Sequence, residues 1–237
     1  MRSPAGAARA FWATVAVLAI FSVVRGLGVF GGLADLATVI VSFAIVAVAL
    51  WRAMTPADLG LARADVRAGV RWGMGAFALV LVVVVAAAVV PATSGFLDDS
   101  RADVSVGALV VEVVLGIAVG TVVPEDLVFR GVLLGAAMAR WGRRRGLVAA
   151  SLVFGLWHVF PTLSTAGGNE MFAAADTSSI GRLGLVVGAV VSTSVAGAVF
   201  GWLRIRSRSL VAPMIAHLST NGVALVVAWF VVHRPGR

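Results

Sequence analysis

From its first residues the chain alternates long apolar runs with short polar ones. A bilayer crossing takes roughly 20 residues of apolar helix, and windows that meet this requirement fall at 11–31, 33–51, 70–91, 104–123, 146–162, 183–203 and 209–232. The expected fold class is therefore all-α, a polytopic transmembrane helix bundle of about seven to eight spans. The first run follows Arg2 and Arg9 in the manner of a signal peptide, but it continues to Gly32 without a small-residue cleavage pattern and reads as a first span. The segment 104–141 has no polar loop and is too long for one straight crossing at about 1.5 Å per residue. It is expected to be either a tilted helix broken near Pro124 or two helices.

The polar stretches sort by charge. Arg52, Arg63, Arg67 and Arg71, then "RWGRRR" at 140–145, then "RIRSR" at 204–208 are basic, whereas "SGFLDDSRAD" (94–103) and "STAGGNEMFAAADTSSIGR" (164–182) are acidic or polar. Positive loops stay in the cytoplasm, so the N-terminus is expected inside, and seven crossings put the tail "HRPGR" outside, against that rule. The loop "MTPADLGLARADVRAGV" carries a helix start at Thr55-Pro56 and reads as a short amphipathic segment on the cytoplasmic membrane surface. Residues 1–103 are expected to form N-terminal transmembrane helices with that loop, and 104–237 a C-terminal transmembrane core, within one integral membrane domain. Three glycine pairs four apart, Gly116/Gly120, Gly184/Gly188 and Gly197/Gly201, are candidate close helix contacts.

Composition agrees with the pattern and narrows the chemistry. Of 237 residues 60% are hydrophobic and 13% charged, and the mean hydropathy is +1.03, far from a soluble domain. The net charge of +8 is carried by arginine alone, which on such a chain marks loops and lipid headgroups rather than nucleic acid. With no cysteine, disulfides, thiolate metal sites and cysteine nucleophiles are excluded. Ionisable groups inside membrane segments are costly and by default functional, and three places hold them: Glu125-Asp126-x-x-x-Arg130, Phe154-x-x-x-His158 and His217-x-x-x-Asn221. Asp126 and Arg130 are four apart and pair on one helix face. Glu125 is turned about 100° from Asp126, which suggests a structural pair beside a free carboxylate. Counted from the basic ends at 1.5 Å per residue, Glu125, His158, His217 and Asn221 lie roughly 22, 18, 12 and 18 Å deep, in one middle slab.

These motifs, in this order on a multi-span chain, resemble those of the CPBP intramembrane proteases, the CAAX protease and bacteriocin-processing family also called Abi. The resemblance covers about 104–232, and the "LGL" loop with its following arginines is similar to the family's region upstream of the core. It implies an endopeptidase in which Glu125 activates a water, His158 and His217 support it, and Asn221 helps hold the oxyanion. Asp126, Arg130 and Phe154 would then give structural support. Asp126 departs from the second glutamate usual in the family, which puts a direct role for the second acid in doubt. Two histidines and a carboxylate, Glu125, His158 and His217, also make a plausible zinc set. No cofactor is favoured, because His217-x-x-x-Asn221 offers no second metal ligand on its helix.

The expected substrate is a peptide or protein at the membrane, hydrolysed near a hydrophobic end, CAAX-like prenylated ends included; the other partner is the lipid bilayer. Two other functions use the same residues: a non-catalytic binding or immunity protein on the same scaffold, and a small transporter, which would show broken helices in both halves. In the plainest structural reading Glu125 offsets Arg130 while Asp126 lies near the headgroups. Glu112 reads as a helix-pairing or pore-facing acid, His233 as a solvated tail residue, and Ser151, Ser194 and Ser219 lack the partners of a serine nucleophile.

Overall fold

The computed structural model describes residues 3–52, 54–97, 99–165 and 170–234, and their regular structure is helical. Helix α1, Pro4–Gly26, begins where Ser3 accepts a hydrogen bond from the Gly6 N–H and Pro4 takes the first helical position. It is followed by α2 (Ala34–Trp51), the one-turn α3 (Pro56–Leu59) and α4 (Val66–Val89). Helix α5 (106–141) is capped by Ser105, and α6 (143–157) continues into α7 (Val159–Thr165). Then come α8 (Glu170–Asp176), α9 (Ser179–Ser207, capped by Ser178) and α10 (Val211–Val232).

Among the described residues six continuous helices are long and apolar enough to cross a membrane, the longest being Val106–Ser164 with 59 residues. That one turns back on itself at Gly142, whose φ of 77° and ψ of 173° are open to glycine and strained for other residues. A Cβ on Gly146 would lie 2.7 Å from the Met138 amide nitrogen and 2.8 Å from the Ala137 carbonyl carbon, so only glycine lets the two arms meet this closely. Each of the seven sequence windows thus centres on one helix or one arm, though the first runs past Gly26, where α1 ends, and the third past Val89, where α4 ends. The reversal at Gly142 falls in the "RWGRRR" loop, and 106–141 runs on as one helix with no break near Pro124. Val122 and Val123 keep helical dihedrals, and π-type turns over Glu112–Val122 and Leu127–Leu133 flank the proline. The wider turns shift carbonyls out of the register in which a proline ring would strike the one four residues back.

At most a third of each apolar window is buried, from 11% to 33%, so every spanning helix turns most of its apolar surface outward, as lipid contact requires. The protein is a multi-pass membrane protein. Its interior is built on three clusters. One joins Phe11, Leu18 and Phe21 of α1 to Phe129, Leu133, Phe154 and Trp157 of the hairpin. A second gathers Met54, Leu59, Leu127, Val132 and Leu210, and a third joins Phe200 and Leu203 to Ala212 and Ala216. Of the three glycine pairs, Gly197 and Gly201 meet α6: a Cβ on Gly197 would lie 3.0 Å from Phe154, and one on Gly201 would strike Leu147. Gly184 and Gly188 face open space, and Gly116 and Gly120 meet only atoms of their own helix.

The segment around α3 packs against the end of the bundle. Thr55 and Asp58 form a reciprocal capping box, and the turn inserts Met54 and Leu59 into the end of the bundle, Leu59 fully buried. Buried Arg204 of α9 donates to the carbonyls of Ala57 at 3.3 Å and Asp58 at 3.0 Å, and the Leu210 N–H donates to Gly60 O at 2.9 Å. The apolar pair outweighs the loop's polar residues because it fills space left beside Gly131 and Gly135. Gly60 has φ +81° and its missing Cβ would collide with the Arg204 guanidinium. Gly60→Ala is therefore expected to destabilise the bundle by about 1–2 kcal/mol, measured as thermal unfolding in detergent. Gly75→Ala, on an exposed helical face with nothing within 4 Å, should leave the transition where it is.

The basic stretches collect at one end. Arg208 lies 3.7 Å from Asp65, Trp72 meets Trp202 edge-on, and Phe11 near the start of α1 packs on Trp141 beside Arg140. At the other end the Trp229 indole donates to Val104 O and Arg234 to Ala88 O. His233, expected to be solvated, stacks on Trp229 with Nε2 at 3.6 Å from Asp103.

Candidate active site

Three helices converge on the motif residues. The stretch of α5 between its π-type segments holds Glu125 and Asp126, α6 ends in Phe154-Gly155-Leu156-Trp157-His158, and α10 carries His217 just before the π-type turn Ser219–Val223. π-type turns recur at functional sites because they re-aim side chains, and here they flank both acids and contain Asn221.

Asp126 is completely buried, far from the headgroup position of the plain reading, and stands between Arg130 and His217. Its Oδ1 lies 3.2 Å from Arg130 Nη1, the pairing that the four-residue spacing predicts, and its Oδ2 is 3.4 Å from His217 Nδ1. A carboxylate only accepts, so Nδ1 carries the proton and donates to Asp126, which leaves His217 Nε2 with its lone pair toward Glu125. The gap from Nε2 to Glu125 Oε2 is 3.9 Å, too long for a direct hydrogen bond and bridgeable by one water. Asp126 is thus the structural partner of Arg130 and Glu125 keeps one oxygen without a hydrogen-bond partner among the described residues, as the 100° offset suggests; the His217 ring lies beside both acids.

Glu125 is 8% exposed. Its Oε1 accepts a hydrogen bond from Trp157 Nε1 at 2.9 Å, and its Oε2 has no hydrogen-bond partner among the described residues. Arg130 is held between aromatic faces, its guanidinium carbon 3.8 Å from the Phe154 centroid and 4.9 Å from that of Phe200. A small void beside it is lined by Phe129, Ser151 and Gly197. His217 stacks on Phe200 with centroids 5.1 Å apart. Phe154 thus touches Arg130 and, edge-on at 6.2 Å, His217.

The other two expected residues sit at the margin. His158 is half-buried; its Nδ1 lies 2.8 Å from Phe154 O, which assigns Nδ1 as donor and leaves Nε2 as acceptor. Asn221 is half-buried, and its Oδ1 accepts from Thr220 Oγ1 at 3.4 Å. Neither is hydrogen-bonded to Glu125 or His217. Glu112 is exposed and folds along its own helix toward Gly116. Trp157 and Phe200, which contact Glu125 and His217, were not anticipated as site residues. The signal for Trp157 was present: a buried indole N–H seeks an acceptor, and it adjoins His158.

Zinc held by Glu125, His158 and His217 would need a donor atom from each about 2 Å from one point. Glu125 Oε2 and His217 Nε2 face one another, but the described residues contain no group of three His, Cys, Asp or Glu that could hold an ion. The donors as arranged do not fit a three-ligand site.

The three helices thus gather a buried acid–histidine–acid array inside a multi-span bundle. The family model described as Type II CAAX prenyl endopeptidase Rce1-like matches residues 107–223, which hold every motif residue named above. Over that segment, a little under half of the chain, the protein is similar to this family of CAAX prenyl endopeptidases. No curated protein and no solved structure was found to match the chain.

Proposed function

We propose that this protein is an intramembrane endopeptidase that hydrolyses a peptide bond near the end of a membrane-associated substrate, with Glu125 as general base and without a metal. The observation that carries the reading is the asymmetry of Glu125: one oxygen is fixed by Trp157, while the other is buried, unpartnered and opposite His217 Nε2. A water between Oε2 and Nε2 would be oriented by both. Glu125 takes a proton from it as the oxygen adds to the scissile carbonyl, and returns that proton to the leaving amine as the C–N bond breaks. The developing oxyanion needs preorganised donors, a role for the Asn221 amide, with His158 supporting the substrate side. Asp126 holds the tautomer and angle of His217, and Arg130 and Phe154 hold Asp126 in turn.

The orientation proposed is arginine-rich end and N-terminus in the cytoplasm. Support comes from the clustering of Trp12, Trp51, Trp72, Trp141 and Trp202 at that same end, where tryptophan and arginine together mark a membrane interface.

The test is cleavage of quenched fluorescent peptides, prenylated and unprenylated, by the protein in proteoliposomes, with and without a strong chelator. Cleavage of at least one peptide that survives chelation is expected. Loss of activity on chelation, restored by zinc, would replace glutamate chemistry with metal chemistry. A folded protein that cleaves neither peptide would overturn the reading and favour a binding protein on the same scaffold.

A further inference from the structure

Within that endopeptidase reading, the geometry points to Trp157 as the residue that positions Glu125, held in place from α1, outside the family-matched segment. Glu125 and Trp157 are 32 residues apart and meet only because the hairpin at Gly142 lays α6 against α5. A glutamate has three side-chain torsions, and a general base is useful only while its oxygen stays within hydrogen-bond reach of the proton it abstracts. Among the described residues the Trp157 indole is the only group that hydrogen-bonds to the Glu125 carboxylate. It binds Oε1 alone, and so decides which oxygen is left for chemistry.

The indole is itself fixed. Trp157 is 6% exposed, stacks on Phe21 of α1 with centroids 6.1 Å apart and planes 11° apart, and meets Phe129 at 5.8 Å. Phe21 is backed by Phe30 at 5.4 Å. A chain of rings therefore runs from the first helix to the base, and α1 acts on the reaction without touching substrate. Such outer support commonly sets the orientation of an acting group.

The experiment replaces Trp157 by 3-benzothienylalanine, which keeps ring shape and stacking and deletes only the N–H, and in parallel by phenylalanine. Expected for both is a fall in kcat of roughly ten- to a hundredfold, the range of one hydrogen bond to a charged group, with KM within about twofold of wild type. Independently of activity, the indole 15N–1H signal missing from Trp157→Phe identifies Trp157, and in Glu125→Ala that signal should move upfield. An unchanged kcat, a change in KM alone, or an indole signal indifferent to Glu125→Ala would each overturn the assignment. If wild type cleaves no peptide, the endopeptidase reading falls while the indole shift still decides whether Trp157 holds Glu125.

Discussion

Glu125→Gln is expected to lower kcat by about two to four orders of magnitude, the usual worth of a general base, while the bundle stays folded. Glutamine has the same shape, and its carbonyl oxygen can still accept from Trp157 Nε1, so the substitution removes proton-accepting capacity and little else. Glu125 joins no close ion pair with an arginine, its nearest cationic candidate being His217 at 3.9 Å, so no buried partner is orphaned by neutralising it. The measurement is kcat and KM on the best peptide in proteoliposomes, with a melting curve as the fold control. Retention of a tenth or more of wild-type kcat would remove Glu125 from the role of base. His217→Gln should fall less far if His217 orients rather than abstracts.

Much of this was visible in the sequence, for identifiable reasons. Span positions follow from apolar length alone, and the Asp126–Arg130 pair follows from helix geometry at a spacing of four. Contacts that depend on how helices are turned against each other were not visible. The Trp157–Glu125 bond needs the reversal at Gly142, and "RWGRRRG" signals a loop without stating that Gly146 will press onto Ala137 and Met138. Pro124 looked like a break because an ideal α-helix has no room for it; the π-type turns around it lie outside that ideal. The α3 loop looked amphipathic and surface-bound, since the space that Leu59 fills is created by Gly131 and Gly135 on a helix more than 70 residues later. Depth arithmetic set Glu125 and His217 in one slab, but could not show that one ring would reach both Asp126 and Glu125.

Arg130→Met is expected to cost about 3–5 kcal/mol of stability, because it removes the partner of a fully buried charge. Among the described residues Asp126 faces Arg130 Nη1 at 3.2 Å and His217 Nδ1 at 3.4 Å. Without the arginine its charge rests on the imidazole alone. Methionine keeps most of the volume between Phe154 and Phe200 and still packs on aromatic rings, so the loss reports charge more than cavity. The decisive comparison is a double-mutant cycle with Asp126→Asn, followed by denaturation in detergent. If the penalty is an orphaned carboxylate, the double variant should recover a large part of the Arg130→Met loss, giving a coupling of the order of 1–3 kcal/mol. Additive effects would mean that Arg130 contributes by filling space between the rings. Activity adds a second reading: Asp126→Asn keeps an oxygen that can accept from His217 Nδ1, so the double variant should regain stability without regaining full kcat, since the neutral amide fixes the imidazole less firmly than a carboxylate does.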